Sequence, residues 1–264
     1  MSEYKTLLVE DRGAVRLVTL NQPKIFNPLD DTSGPELIKC LEGADREPAV
    51  RAVVLTGAGR AFSGGGNVRL MARILEEGLS PAAFFADLAG VLNRSIITLR
   101  RMSKPVVCAL NGVASGGGLG WCLGCDLVIA ARSARFDPGY IRIAVNPDGG
   151  STALVTRLIG HKRASAFFML GRVIEMDQAL AWGMVNEVVD DGREVARAVE
   201  VAQELARGPA EALAATKELL NRAVLGDLET VMEDERFRLM ELCERPDFAE
   251  GIRAFFEKRP PRFS

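Results

Sequence analysis

The chain has 264 residues, 48% of them apolar and 26% charged, with a formal net charge of −2 and an isoelectric point near 5.7. That is length enough for a sizeable buried core, and a near-neutral balance that gives no electrostatic footing for a nucleic-acid partner. The amino terminus, MSEYKTLLVEDRG, carries acids and no apolar run, and the five cysteines are an odd number lying mostly in apolar segments, so the expectation is a cytoplasmic chain with free thiols.

Thr6 to Leu20 reads as a hairpin, with one strand to Glu10, a turn at Asp11-Arg12-Gly13 and a second strand from Val15. The loop Asn21-Gln22-Pro23-Lys24-Ile25-Phe26-Asn27-Pro28 holds two prolines and two asparagines, which oppose helix and strand alike. Asp31 to Arg46 predicts an amphipathic helix, and Ala49 to Thr56 a buried strand. A glycine-rich loop, Gly57 to Asn67, follows that strand, and helix resumes at Val68. Ser80-Pro81 is a good cap and first position for a helix from Ala82 to Met102.

Lys104 to Asp126, KPVVCALNGVASGGGLGWCLGCD, has an interior of 21 uncharged residues, six of them glycine. Its length would cross a bilayer. The Asn111-Gly112 turn instead divides it into a strand, Pro105 to Leu110, and a short helix opened by Gly116-Gly117-Gly118. Glycines at a helix start leave unpaired N–H groups uncovered, so the place suits an anion or an oxygen developing negative charge; close backbone packing is the other reading. A strand, Asp126 to Ala131, comes next, and the alternation of strands and helices predicts crossover units and a largely parallel sheet. Asp148 stands where a loop feeds a helix from Gly149 to Ile159, the usual place of an N-cap. Asp177 to Trp182 reads as helix and Met184 to Val189 as strand. Four helices then close the chain: Glu194 to Ala206, Glu211 to Arg222, Leu228 to Cys243 and Phe248 to Phe256. In the last of these Phe248, Ile252, Phe255 and Phe256 share one face.

Several chemistries fail on their residue requirements. The one histidine, His161, sits at a helix junction and no Gly-x-Ser-x-Gly surrounds any serine, which opposes a serine hydrolase. Cys122 and Cys125 form a C-x-x-C without further ligands nearby, so no metal site is expected. From Gly57, the sixth position of a dinucleotide-binding fingerprint would be Phe62 instead of glycine.

Read together, VVLTGAGRAFSGGGN and NGVASGGGLGWCLGCDLVIAARSARF resemble the enoyl-CoA hydratase/isomerase (crotonase) superfamily. The likeness runs from LNQPKIFNPLD through PDGGSTALVTRLIG and ALAWGMVNEVV to EGIRAFFEKRPPRF, nearly the whole chain. It implies an α/β fold of the ClpP/crotonase kind, a spiral of ββα units over residues 1–195 carrying an acyl-CoA site. Residues 196–264 would be a helical region that packs trimers, commonly two trimers to a hexamer. The implied substrate is an acyl-CoA thioester with no cofactor beyond its own coenzyme A, no metal, no nucleic acid and no membrane. Two backbone N–H groups, matching Gly66 and Gly117, would hold the thioester oxygen as it takes on enolate charge; one such donor is worth about 2.7–4 kcal/mol. The coenzyme contacts fall on Lys24 and on the backbone of Ala61, Phe62, Ser63 and Gly64, with Lys258 reaching a neighbouring subunit.

The two glutamates that hydratases need match Gly120 and Tyr140 here, and neither is a carboxylate. Asp148 falls where isomerases of the superfamily place an aspartate, including the ring-opening isomerases of phenylacetyl-CoA breakdown, which the C-terminal block resembles most. Dehalogenase members use the same aspartate with a histidine from the preceding long helix, and Ala82 to Met102 has none. The expectation is therefore a thioester isomerase with Asp148 as acid and base and Tyr140 at the pocket. The alternatives are a hydratase with a different acid and an acyl-CoA-binding homologue without catalysis. Asn67 stands where the superfamily commonly has aspartate.

Overall fold

The computed structural model describes residues 4–264. β1 (Leu7–Arg12) pairs antiparallel with β2 (Val15–Leu20) across a turn at Gly13, whose φ of +66° suits glycine. After α1 (Ser33–Arg46) the chain repeats one plan: a strand of a large sheet, a short strand of a second sheet, then helix. The first unit is β3 (Ala52–Gly57), β4 (Ala61–Ser63), α2 (Val68–Glu76) and α3 (Pro81–Arg101); the second is β5 (Val106–Leu110), β6 (Val113–Ser115) and α4 (Gly117–Leu123). The third is β7 (Leu127–Ala131), β8 (Arg135–Asp137), α5 (Ser151–Ile159) and α6 (His161–Met169). β9 (Ile174–Glu175), α7 (Met176–Ala181) and β10 (Glu187–Val189) lead to α8 (Glu194–Arg207), α9 (Ala210–Leu225), α10 (Leu228–Cys243) and α11 (Pro246–Glu257).

The large sheet runs β1-β2-β3-β5-β7-β10 and is parallel beyond the hairpin; the second runs β4-β6-β8-β9, with only β8 and β9 antiparallel. Parallel strands covered on both faces need apolar residues throughout, and β3 and β5 are buried along their whole length. The two-residue period divides them. Val54, Val107, Ala109 and Ile129 pack with Ala198, Val199 and Ala202 of α8. Val53, Leu55, Val106, Cys108 and Val128 join the larger core with α1, α3 and α4. All five cysteines are buried, and burial pushes the Cys108 and Cys122 thiols up, so they stay protonated.

The cap predicted for α3 is present: Ser80 Oγ accepts from Ala83 N at 3.2 Å, with Pro81 as the first residue. This helix is long and apolar enough to span a bilayer, but Phe85, Leu88, Leu92, Ile96 and Leu99 bury its apolar side in the core. α9 is tied down by Lys217, whose Nζ is 2.8 Å from Asp126 and 2.8 Å from the Leu99 carbonyl. Arg100 reaches the same carboxylate at 2.9 Å.

Three expectations need correcting. The Pro23 loop contains a 3-10 turn, Pro23–Ile25, ended by Phe26 in the left-handed region. Predicted β10 starts three residues late, because Met184 N bonds to Ala179 O and closes α7 instead of extending a strand. The apolar face of α11 does not stay in the core: Phe248 and Ile252 are buried, while Phe255 and Phe256 are 57% and 47% exposed.

Candidate active site

Two glycine-bearing backbones are brought together beside a loop that carries one acid. Leu29 makes an isolated parallel bridge with Gly66: Leu29 N bonds to Gly65 O at 2.8 Å and Asn67 N to Leu29 O at 3.2 Å. That ladder uses the groups on either side of Gly66, so the Gly66 N–H points away from Leu29. Gly117 is the first residue of α4, where an N–H has no partner within the helix. The two segments touch through Gly65, at φ +86°: a Cβ there would lie 2.7 Å from Ser115 O and 3.2 Å from Gly117 N.

Other polar residues hold these backbones in place. Buried Asn27 donates to the carbonyls of Ala58, Ala61 and Phe62 and accepts from Gln22 N, which locks the Lys24 turn to the glycine-rich loop. Gly64 N bonds to Phe26 O at 2.7 Å, and Ser63 Oγ accepts from Gly65 N. Asn67 is the N-cap of α2, accepting from Arg69 N and Leu70 N, which gives it a structural task.

Gly66 and Gly117 both line a cavity of about 120 Å³ whose apolar walls come from Leu29, Met71, Phe85, Leu88, Val145 and Leu239. Asp148 is the one carboxylate lining it, among the described residues, and Tyr140 lines it too. Gly64, Ser115, Arg142 and Phe255 also line a neighbouring groove of about 850 Å³ that holds Lys24, Arg60, Arg69 and Arg135 as well. Such a groove suits an anionic, partly apolar chain. Of the residues expected at the coenzyme, Lys24 and Gly64 line this groove. Ala61, Phe62 and Ser63 are buried in β4, and the Ala61 and Phe62 carbonyls accept from Asn27. Lys258 is exposed at the end of α11 and lines neither space within the single chain.

Asp148 does not cap α5. Its carboxylate instead accepts from the Tyr140 hydroxyl at 2.9 Å, and Tyr140 also lies 3.1 Å from Ser151 Oγ. Desolvation raises the Asp148 pKa to about 6, against the Tyr140 hydrogen bond, which lowers it. Burial and then the Asp148 charge push the Tyr140 hydroxyl well up, so it remains a donor. The cap comes from Glu235 of α10, whose two oxygens accept from Gly150 N at 2.7 Å and Thr152 N at 3.0 Å. Sequence reading missed Glu235, although it stands in helical register with buried Leu228, Met232 and Leu239, where an acid is out of place.

Gly120 is closed to any side chain. A Cβ there would lie 2.7 Å from the Gly149 carbonyl oxygen and 2.5 Å from Ile96 Cδ1. Gly149 and Gly150 both have positive φ, at +61° and +69°, and a Cβ on Gly150 would meet Leu228 and Met232 at 2.8 Å.

The enoyl-CoA hydratase/isomerase family model matches residues 10–264. The chain belongs to the enoyl-CoA hydratase/isomerase family. This family member is 35% identical over 258 residues to a 1,2-epoxyphenylacetyl-CoA isomerase of Escherichia coli, with 96% of each chain covered. It is 30% identical over 259 residues to a short-chain-enoyl-CoA hydratase of Clostridium acetobutylicum, covering 97% of each. Among solved structures, an enoyl-CoA hydratase from Mycobacterium avium subsp. paratuberculosis superposes with a TM-score of 0.88 at 31% identity over 99% of both chains. The family member thus has the crotonase fold, the spiral of ββα units expected from sequence, ending in helices. The family acts on acyl-CoA thioesters, and relatives at similar identity carry both isomerase and hydratase names.

Proposed function

We propose that this family member is an acyl-CoA thioester isomerase that moves a double bond through an enolate. The observation that carries the reading is that Asp148, the one carboxylate among the described residues there, lines the same largely apolar cavity as the backbones of Gly66 and Gly117, while a Cβ on Gly120 would meet a backbone carbonyl. In the proposed mechanism the thioester oxygen lies against the N–H groups of Gly66 and Gly117. Asp148 takes a proton from carbon next to the carbonyl. The resulting charge spreads onto the oxygen, where fixed donors stabilise it. The same carboxyl returns the proton to the γ-carbon, and the double bond moves from β,γ to α,β with no net proton change. One group that must act as base and then acid works best with a pKa near the working pH, and a value about 6 meets that need.

Hydration requires a second group to activate water, and Tyr140, held protonated and bonded to Asp148, is not a base. The hydratase relatives make crotonyl-CoA the control substrate, since water addition would appear as loss of enoyl absorbance. The epoxyphenylacetyl-CoA isomerase relative makes that ester the next to test, within the same enolate and proton-return chemistry. We further propose that subunits associate through the α9–α10 surface, where Leu219, Leu220 and Phe237 are exposed, and that Lys258 then serves the coenzyme of a neighbour.

The deciding experiment is Asp148→Asn. Isomerisation of a β,γ-enoyl-CoA should fall by about 10²–10⁴-fold while acyl-CoA binding persists. Unchanged turnover would sink the assignment, and a wild-type chain that turns over no thioester in a broad panel would point to a binding protein.

A further inference from the structure

The turn that carries Asp148 is held from the C-terminal helices. α10 lays a buried stripe of Leu228, Met232, Glu235 and Leu239 across it. The side-chain ends of Leu228 and Met232 lie 2.8 Å from where a Cβ on Gly150 would stand, at a φ of +69° that itself opposes a side chain, and Leu239 reaches the cavity wall. Glu235 is 6% exposed and binds the turn at both ends. Its backbone carbonyl accepts from Asn146 Nδ2 at 3.0 Å, two residues before Asp148. Its carboxylate accepts from Gly150 N and Thr152 N, and from the Thr152 hydroxyl, on the far side.

A buried carboxylate is costly to hold, and a helix N-terminus can be capped by a local Ser, Thr, Asp or Asn at the surface. Here the local candidate, Asp148, is turned to Tyr140, and the cap comes from 85 residues along the chain. An arrangement that frees the local acid and moves the cap to a distant helix does what a site needs when its acid must stand elsewhere.

We propose that Glu235 is a positioning residue, which clamps the Asn146–Thr152 turn from both sides and thereby fixes the Asp148 carboxylate against Tyr140 and the cavity. This rests on the reading of Asp148 as the acid and base. The titratable groups whose charge bears on the clamp are Asp148 and Tyr140. Glutamine cannot replace the carboxylate: it offers one acceptor oxygen, and its NH₂ would face one of the two backbone N–H groups.

The test compares Glu235→Gln with Asn146→Ala, which opens the other side of the clamp without changing any charge. Asn146 Oδ1 is buried without a partner, so removing that amide should leave the fold intact. The Asp148 carboxyl is titrated by ¹³C NMR, with the Asp148→Asn spectrum assigning its signal, alongside kcat, KM, binding of hexanoyl-CoA and thermal melting. In both variants Asp148 should titrate away from its wild-type value of about 6, because a loosened turn changes both the dry surroundings that raise its pKa and the Tyr140 hydrogen bond that lowers it. Turnover of a β,γ-enoyl-CoA should fall about tenfold or more, while KM and hexanoyl-CoA binding change less than about threefold. The proposal is overturned if Asn146→Ala keeps the wild-type titration and kcat, even where Glu235→Gln alters them, since the effect would then be one of charge. It is equally overturned if kcat and binding decline together with the melting temperature. Should Glu235→Gln fail to fold, Asn146→Ala decides alone. Turnover surviving in Asp148→Asn would refute the acid/base reading, while the NMR titration would still decide whether the clamp exists.

Discussion

Replacing Tyr140 by phenylalanine removes the side-chain hydrogen bond that holds the Asp148 pKa down, and so tests the proposed use of Asp148 as a base. The phenol donates to the ionised carboxylate at 2.9 Å, while desolvation by the cavity works in the opposite direction and dominates, leaving the pKa at about 6. A hydrogen bond to a charged group is worth about 1.5–3 kcal/mol, and one pKa unit is 1.36 kcal/mol, so its loss should raise Asp148 by roughly 1–2 units. Phenylalanine keeps the ring and the dry surroundings, so the desolvation that raises the value stays. The acid limb of kcat/KM for isomerisation, which reports the free enzyme, should therefore move from about 6 to about 7–8. At pH 7 the wild type would be mostly ionised and the variant mostly protonated, so turnover at pH 7 drops up to about tenfold and recovers near pH 9. An acid limb that stays in place, or moves down, would refute the claim that this phenol stabilises the carboxylate.

Gly65→Ala should cost about a hundredfold in kcat through misplacement of the two donors, because its Cβ would press on Ser115 O and strain a φ of +86°; Asp148 should titrate as in the wild type, and unchanged kcat would count against the paired-donor geometry. Gly120→Glu should not create hydration of crotonyl-CoA and should lower stability by about 1–3 kcal/mol in denaturant titration, since the new Cβ meets a backbone carbonyl; a gain of hydration would show that the turn can retreat. Glu235 has its pKa raised to about 7, chiefly by desolvation and against the Thr152 and Gly150 hydrogen bonds. The folded chain thus binds a proton there at pH values where the unfolded chain has lost it, and stability from this group is present at low pH and lost as pH rises through about 7. Relative to Glu235→Gln, wild-type stability should fall by roughly 1–3 kcal/mol between pH 5 and pH 8, and a difference that is flat or rises with pH would contradict the shift.

The fold was legible wherever burial is strong and continuous. β5 and α3 read correctly because an unbroken apolar run and a capped, one-sided helix leave few alternatives. The second sheet was not legible: β4, β6 and β8 are three residues each, too short to set a period, and they pair through crossovers that no local pattern records. α6 was missed because its polar first turn, His161-Lys162-Arg163, hides a face carried only by Ala164 and Phe167. At the site, Gly66 and Asp148 came from motif resemblance and Gly117 also from the bare glycine helix start, and the structure gathers all three around one cavity. Gly65 and Glu235 escaped because their roles depend on what lies opposite in space. A glycine that lets two loops touch looks like any other glycine in a run, and an acid on a helix looks solvated until its neighbours are known.

The absent glutamate at position 120 and the Asp148 turn are two aspects of one packing arrangement. A side chain at 120 would need the space that the Gly149 carbonyl and Ile96 now fill, and Gly149 is adjacent to the acid. The turn reaches this position because Gly149 and Gly150 take positive φ in succession, a path that side chains oppose, and because α10 presses on Gly150 from the other side. Moving the turn away to admit a glutamate would therefore displace Asp148, break the Glu235 cap and open a void against Leu228 and Met232. A side chain at position 120 and the present path of the Asp148 turn compete for the same space. The choice between them is set by the glycines and the α10 clamp as much as by the acid itself.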